Sequence, residues 1–368
     1  MSISLSLEKV KDFRKARGKR YSAASVIKLI VVGLLSSRNN LKSISRFAKN
    51  FSPKKLVMLG FNRNKAPCYS NLTLIIRKIS PESLREVILE LIQYICQVKN
   101  IGYDVIHIDG KTLCGSNSHG KEEQRQILTG FSSQLKAITG FIETANKNEY
   151  GSMLEFLSKY DIKGKIVTAD ASFCHEDICE EVVKQGGEFA FTLKSNEPNL
   201  HYYSSKVFDE IAEKGQEVRS FEENTDLQHG RIERRKIEVI DMPFEYLNGF
   251  RHIKQICKIS RERDKKNKTN SCKQENVFMI TSLGSKFNPK SLLKFNKNHW
   301  SCENNLNWVK DTVFGEDKST ISIGKAPLVM SLLRAITISV ITLFSNKITE
   351  TRENFNNYRY KIFKVMAT

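Results

Sequence analysis

The sequence predicts a mixed α/β protein with a helical N-terminal segment and a β-rich interruption, and three observations carry that prediction. For the first hundred residues apolar side chains recur at helical spacing. From Tyr103 the period shortens and runs of strand character alternate with helices in the order βββαβαβ, the order of a mixed α/β sheet. From about Ser195 to Asn298 the pattern is mostly short strands with charged loops, after which helices return.

Element by element, an apolar run from about Ser22 to Ser36 is followed by the polar break "SSRNN", the short amphipathic "LKSISRFAKN" and "SNLTLIIRKIS". Pro81 then opens a helix with Glu82 in its first turn and apolar positions at helical spacing through Tyr94 and Ile95. Short helices with basic faces suit DNA contact, and a plain helical bundle fits them as well. "DVIHIDG", "RQILTGFSS" and "LKAITGFIE" read as three strands, "EYGSMLEFLSKY" as a helix, "GKIVTADA" as a strand, "EDICEEVVKQ" as a helix and "EFAFTLK" as a strand. The expected segments are 1–100 (helical, DNA-contacting), 101–196 (first part of the core), 197–295 (β-rich insertion) and 296–368 (second part of the core).

At 368 residues, 40% hydrophobic and 27% charged, the chain is globular and too large for a minimal scaffold. Its 59 Lys+Arg against 40 Asp+Glu leave a net charge of +19. Nucleic acid is the commonest partner for such an excess, because each phosphate contact releases counterions; an anionic membrane surface comes second. Eight cysteines without a C-x-x-C pair, and no charged, apolar, small-residue order at the N-terminus, lead us to expect a reduced cytoplasmic location. The run Ala326 to Phe344 carries Arg334 at its middle and reads as a buried helix rather than a membrane span. "ASVIKLIVVGLL" is too short to span and holds Lys28, so it too reads as core.

Three acids draw attention. Asp109 ends the first predicted strand and Asp170 the fourth, and sites in open α/β sheets form beyond the carboxyl ends of strands. Taken alone, Asp109-Gly110 could be a turn and Asp170 a cap. In "HWSCENNLNWVK" a regular helix at roughly 100° per residue puts His299, Glu303, Asn307 and Lys310 within about 80° of one another, beside an apolar arc of Cys302, Leu306, Val309 and Val313. Three converging carboxylates would raise one another's pKa, so they make physical sense only with divalent metal, Mg²⁺ or Mn²⁺, in a two-ion arrangement suited to phosphoryl transfer.

"IDGKTLCGS", "TADA", "FTLKSNEPNL", "HGRIERRKI" and "HWSCENNLNWVKDTVFGED" resemble the motifs of DDE transposases of bacterial insertion sequences, in the branch of the H-repeat-associated proteins. The likeness runs from about Arg20 to Phe344. It implies a ribonuclease H-like catalytic core, DDE acids matching Asp109, Asp170 and Glu303, a β-strand insertion between the second acid and the third, and metal-dependent strand cleavage and strand transfer. Related transposases carry Tyr-x2-Arg-x3-Glu-x6-Lys; here Glu303 and Lys310 keep the last part, His299 takes the basic place and Asn296 the tyrosine place. Cys114 stands where this branch has arginine, and Asn307 where it has histidine before Trp308.

The implied partners are double-stranded DNA at the terminal inverted repeats and at the target, a homodimer in the DNA complex, and no membrane. Lys111, Lys194, His299 and Lys310 in these motifs are the expected DNA contacts. Arg231, Arg234 and Arg235 on a strand of the insertion are available to phosphates, or else are the charges of an exposed edge strand. Trp300 could stack on a displaced base or pack in the core. Cys174, His175 and Cys179 could begin a zinc site but lack a completing pair, and a buried helix face explains them better. A nuclease of the same fold without strand transfer, and a DNA-binding relic of a transposase, are the alternatives.

Overall fold

The computed structural model describes residues 7–14, 19–63, 65–114, 125–144, 148–227, 231–242, 250–265 and 273–367. The chain forms two compact units. One comprises Met1–Tyr103, Gly110–Asn148 and Cys302–Thr368, the other Asp104–Asp109 and Glu149–Ser301.

The first unit is built around two apolar helices. In α1 (Ala23–Leu35) all but one residue is buried, and Ser22 caps it by accepting from the Ser25 amide at 2.9 Å. Its buried Lys28 donates to Glu8 at 2.6 Å. Helix α2 (Leu41–Ala48) lies so close that a Cβ on Gly33 would stand 2.7 Å from Ile44 Cγ1, which is why that position carries glycine. Helices α3 (Pro53–Met58), α4 (Tyr69–Lys78) and α5 (Ser83–Lys99) complete the N-terminal part. Strands β2 (Gln126–Ser132) and β3 (Ala137–Thr144) form an antiparallel hairpin in this unit.

After the short helix α10 (Trp308–Thr312), the C-terminal apolar run is helix α11 (Ala326–Ile341), every residue of it buried, packed on α1, α4 and β3. Arg334, at its centre, donates to Glu316 Oε2 at 3.0 Å, which makes the charge tolerable there. No helix among the described residues is long and apolar enough to cross a membrane. Two further helices follow, α12 (Ile348–Asn357) and α13 (Arg359–Ala367). Arg352 of α12 is clamped to the Leu34 and Val313 carbonyls at 2.9 and 2.7 Å.

The second unit holds a mixed sheet in the order β1-β4-β5-β9-β8-β7-β6. Strand β1 (Val105–Thr112), which passes into the first unit after Asp109, β4 (Ile166–Ala169) and β5 (Glu188–Leu193) are parallel. They are linked through α6 (Glu149–Lys159) and α7 (Glu176–Lys184), so the βββαβαβ reading of the core holds element by element. The interrupting segment is an antiparallel meander that continues this sheet: β6 (Arg219–Leu227), β7 (Arg231–Asp241), β8 (Gln255–Lys265) and β9 (Lys273–Thr281), the last pairing with β5 through Ala190↔Thr281. Ile237, Val239, Cys257, Ile259 and Met279 alternate onto its apolar face, where Leu292 and Leu293 of α9 (Pro289–Cys302) join them.

Two expectations for the insertion are corrected. Its strands run to eleven residues rather than being short, and it opens with a sixteen-residue helix, α8 (Pro198–Glu213). The helical signals were there, with Pro198 in the first turn, Ser204 and Phe208 on the buried side, and Gly215 (φ +60°) just past the end.

Candidate active site

Asp109 and Asp170 are brought together by strand register. The parallel pairing of β1 with β4 runs through Val105↔Ile166, Ile106↔Val167 and His107↔Thr168. Continued two positions, that register sets Asp109, which lies inside β1 rather than ending it as expected because the strand runs on to Thr112, level with Asp170, the residue after β4, on strands about 4.8 Å apart. Side chains alternate along a strand, and His107 and Thr168 meet at 2.7 Å between Nδ1 and Oγ1, so both aspartates project on that same face. Asp170 keeps an extended backbone (φ −76°, ψ −178°) and caps the short turn Ala171–Phe173, its Oδ1 accepting from the Ser172 amide at 3.0 Å. The capping role and the register position coexist, because only Oδ1 is engaged in the cap. Asp109 is half-buried and Asp170 exposed.

A polar chain, buried at His107 and Thr168 and half-buried at His299, lies on the same face. Thr168 Oγ1 is 2.7 Å from His107 Nδ1 and 3.2 Å from His299 Nδ1. The single hydroxyl proton of Thr168 serves one ring while the other ring donates to its oxygen. Burial, followed by the proximity of His299, pushes the His107 imidazole down to about 3. Burial pushes His299 down to about 4 against the opposing pull of Asp170. Both rings are therefore neutral at pH 7, and His299 is a neutral hydrogen-bonding group where related transposases have a cation. Below Asp170, Asn196 of "SNEPNL" donates from Nδ2 to the Ala171 carbonyl at 2.6 Å and braces the turn.

Sequence reasoning named neither His107 nor Thr168. The signal was present: each stands two residues before its aspartate, and a period of two puts them on the aspartates' face.

In the first unit Glu303 is exposed at the start of a π-helical segment, Glu303–Asn307, closed by the Trp308 amide donating to the Glu303 carbonyl. The wider turn breaks the predicted stripe, so Asn307 and Lys310 fall on the buried side while Glu303 stays in solvent. Lys310 is therefore corrected as a phosphate contact: it is 1% exposed, with Nζ 3.3 Å from Ser331 Oγ and 3.6 Å from Glu316. Burial lowers its pKa and outweighs the pull of Glu316. Lys111 is corrected likewise, since its ammonium is taken up by Asp311 at 2.5 Å. Burial opposes the Lys111 charge, but the Asp311 hydrogen bond and the Glu316 and Asp317 carboxylates hold its pKa above the usual lysine value. Partial burial and then Asp317 raise the Cys114 thiol.

Among the remaining expected contacts, Lys194 is exposed and Trp300 is 59% exposed, so core packing does not account for the tryptophan. Arg234 is exposed in a trough that Lys236 and Lys258 share with Glu222, Glu238 and Glu262. Arg235 is corrected, because its guanidinium is held 2.5 Å from the buried Glu233. The side chain of Arg231 lies outside the described residues. Cys174 and Cys179 are buried with their thiols pushed up by desolvation, Cys174 to about 12, while His175 faces Glu197 at 3.2 Å.

A divalent cation of the Mg²⁺ type needs hard oxygen donors. Two carboxylates one strand apart on one face, with a neutral imidazole rather than a cation on that face, fit such an ion. Among the described residues, no three His, Cys, Asp or Glu side chains are grouped to hold a metal.

A mixed sheet with parallel and antiparallel strands and helices between them makes this a mixed α/β protein. The chain belongs to the Transposase DDE domain family, whose pattern matches residues 101–338, and residues 5–92 match the DDE_Tnp_1-associated family. It is similar to the H repeat-associated putative transposase YhhI of Escherichia coli K12, at 27% identity covering 90% of this chain and 88% of that one. It is similar also to the Escherichia coli K12 protein YbfL, at 28% identity with the same coverage, and to the H repeat-associated putative transposase YbfD, at 27% identity over 65% of this chain and 94% of that one. A solved structure of a piggyBac transposase synaptic complex with hairpin DNA aligns with a TM-score of 0.41 and 12% identity, covering 99% of this chain and 74% of that one.

Proposed function

We propose that this transposase cuts and joins DNA strands at the ends of its own element by metal-dependent phosphoryl transfer on a ribonuclease H-like core, with Asp109, Asp170 and Glu303 as the acids. The observation that carries the reading is that the β1–β4 register, continued two positions, sets Asp109 on β1 level with Asp170 just past the end of β4. A bound pair of Mg²⁺ or Mn²⁺ ions would polarise the scissile phosphate and favour ionisation of the attacking hydroxyl. The chain supplies the oxygen donors that would hold those ions, and burial keeps His299 a neutral hydrogen-bonding group beside Asp170. Water attacks phosphorus, the P–O3′ bond breaks, and a 3′-hydroxyl is released; that hydroxyl then attacks a target phosphodiester. The enzyme forms no covalent bond to DNA. Lys194 and Trp300 are exposed and fit contact with a phosphate and with a displaced base, respectively. Inverted repeats at the element ends and a homodimer on DNA complete the reading, because identical sites acting on two ends need the same sequence in opposite orientations.

The test is cleavage of duplex carrying the DNA that flanks the coding region, in Mg²⁺, beside gel shifts on the same duplex. Asp109→Ala, Asp170→Ala and Glu303→Ala should each lower cutting by about a thousandfold or more while binding persists, since Lys and Arg carry the binding. Near-normal cutting by any one of them removes that acid from the site.

A further inference from the structure

The net charge of +19 is not spread over the chain. Between Asp12 and Glu82 there is no Asp or Glu, and residues 13–81 hold sixteen Lys and Arg. After Glu353 there is again no acid, and Arg359, Lys361 and Lys364 follow. Those two stretches account for the whole excess, because the rest of the chain has 40 Lys+Arg and 40 Asp+Glu. They lie at opposite ends of the sequence and meet in the fold.

The meeting is made by aromatic rings. Phe363 of α13 packs edge-on against Phe51 with centroids 5.6 Å apart, and Lys55 of α3 stands 5.5 Å from the Phe363 ring. Arg359 of α13 and Arg38, just before α2, both lie over Phe47 of α2, at 5.2 and 5.4 Å from its centroid. Stacking on a ring holds a guanidinium plane in place while leaving its edge able to donate. Lys42, Arg46, Lys49, Lys54 and Arg359 are exposed, and none has an ion-pair partner among the described residues. Five uncompensated cations carried by α2, α3 and α13 repel one another at a cost in stability, and a polyanion relieves that cost.

We infer that α2, α3 and the C-terminal α13 form one binding face for the phosphate backbone of duplex DNA, with Arg359 carried onto it by the Phe47 and Phe363 contacts. The inference rests on the transposase reading above for the choice of duplex DNA, and it adds a C-terminal helix that lies outside both regions matched to known families. Because the contacts are to phosphates, the face sets affinity and register rather than sequence choice.

Fluorescence anisotropy with the full chain tests it, using the element-end duplex and a scrambled duplex over a KCl series. Arg359→Gln should flatten the log–log salt slope by about 0.9, and Arg46→Gln/Lys49→Gln/Lys54→Gln by about 2 to 3, equally on both duplexes. Arg359→Lys, which keeps the charge, should retain most of the slope, and unchanged melting of the Gln variants shows that the fold is intact. The control Lys236→Gln/Lys258→Gln, in the mixed-charge trough of the insertion, should leave the slope alone. Wild-type slopes in both face variants, or an equal loss in the control, overturn the face while cleavage by the wild-type chain leaves the transposase reading standing. A wild-type chain that binds anionic vesicles and no duplex overturns both.

Discussion

The helical face of α2, α3 and α13 and the strands of the insertion are both dense in Lys and Arg, yet they manage charge in opposite ways. On the strands of the insertion most of the described cations have an acid beside them: Glu233 lies between Arg235 and Arg261, Lys236 pairs with Glu238 and Arg219 with Asp241. On the helical face Lys42, Arg46, Lys49, Lys54 and Arg359 have none among the described residues. Counting basic residues along the sequence, as with Arg234 and Arg235, therefore does not by itself measure the charge available to a polyanion; the quantity that matters is the charge left after pairing. Paired cations on the insertion hold a twisted sheet soluble and in register, while unpaired ones are available to a polyanion.

If pairing is structural, removing a buried acid should cost far more than removing an exposed cation. The largest effect is expected at Glu316, whose carboxyl serves Lys310 and Arg334, both at most 2% exposed. Glu316→Gln should lose about 3 to 5 kcal/mol, because two buried cations are left uncompensated. A urea midpoint within error of wild type would show that the trio is not a structural device. Glu233→Gln comes next at about 2 to 3 kcal/mol, less than the full buried-pair penalty because Arg235 and Arg261 retain some access to water, at 19% and 27% side-chain exposure. The same denaturation series checks it, and a loss larger than that of Glu316→Gln would reverse the ranking.

The site uses a third strategy, in which buried titratable groups are kept neutral. His107 and His299 are held at about 3 and about 4, below the 6.5 of an exposed imidazole. The unfolded chain therefore binds more protons below pH 6.5, and stability is expected to fall as pH drops from there toward the folded values. By pH 5 each ring should contribute about 2 kcal/mol of that loss. His107→Gln should show a smaller drop in urea midpoint between pH 7 and pH 5 than wild type; equal drops would mean that His107 is not held neutral by its burial.

Much of this was legible in the sequence. The strands that carry Asp109 and lead into Asp170 were found by β-branched runs and flanking glycines, while the end of β1 at Thr112 and the register that sets the two aspartates level come from the sheet itself. What failed was local. The π-helical turn at Glu303 has no residue signature, so a regular helix put Lys310 beside Glu303 when one widened turn sends it into the core. Helix α8 was hidden by its polar length, since only Ser204 and Phe208 are buried. The pairing of Lys111 with Asp311, two hundred positions away, and the meeting of Arg359 with Phe47 depend on tertiary contacts that no window along the chain contains.

The smallest effect should also have the opposite sign. Lys54 is exposed, has no acidic partner among the described residues and sits on a face where its neighbours are cations. Lys54→Gln removes one source of repulsion and no attractive contact, so it should raise stability by a few tenths of a kcal/mol at low ionic strength, roughly the size of a single exposed charge interaction. The gain should vanish at high salt, where the Debye length falls to about 3 Å at 1 M and exposed charges no longer sense one another. Lys236→Gln, which breaks the 2.7 Å pair with Glu238, should do the reverse by a similar amount and be screened in the same way. Thermal melts of both variants at low and high salt separate the two regions by sign rather than by size. If Lys54→Gln lowers the melting temperature at low salt, the helical face is not self-repelling, and the contrast between the two regions does not hold.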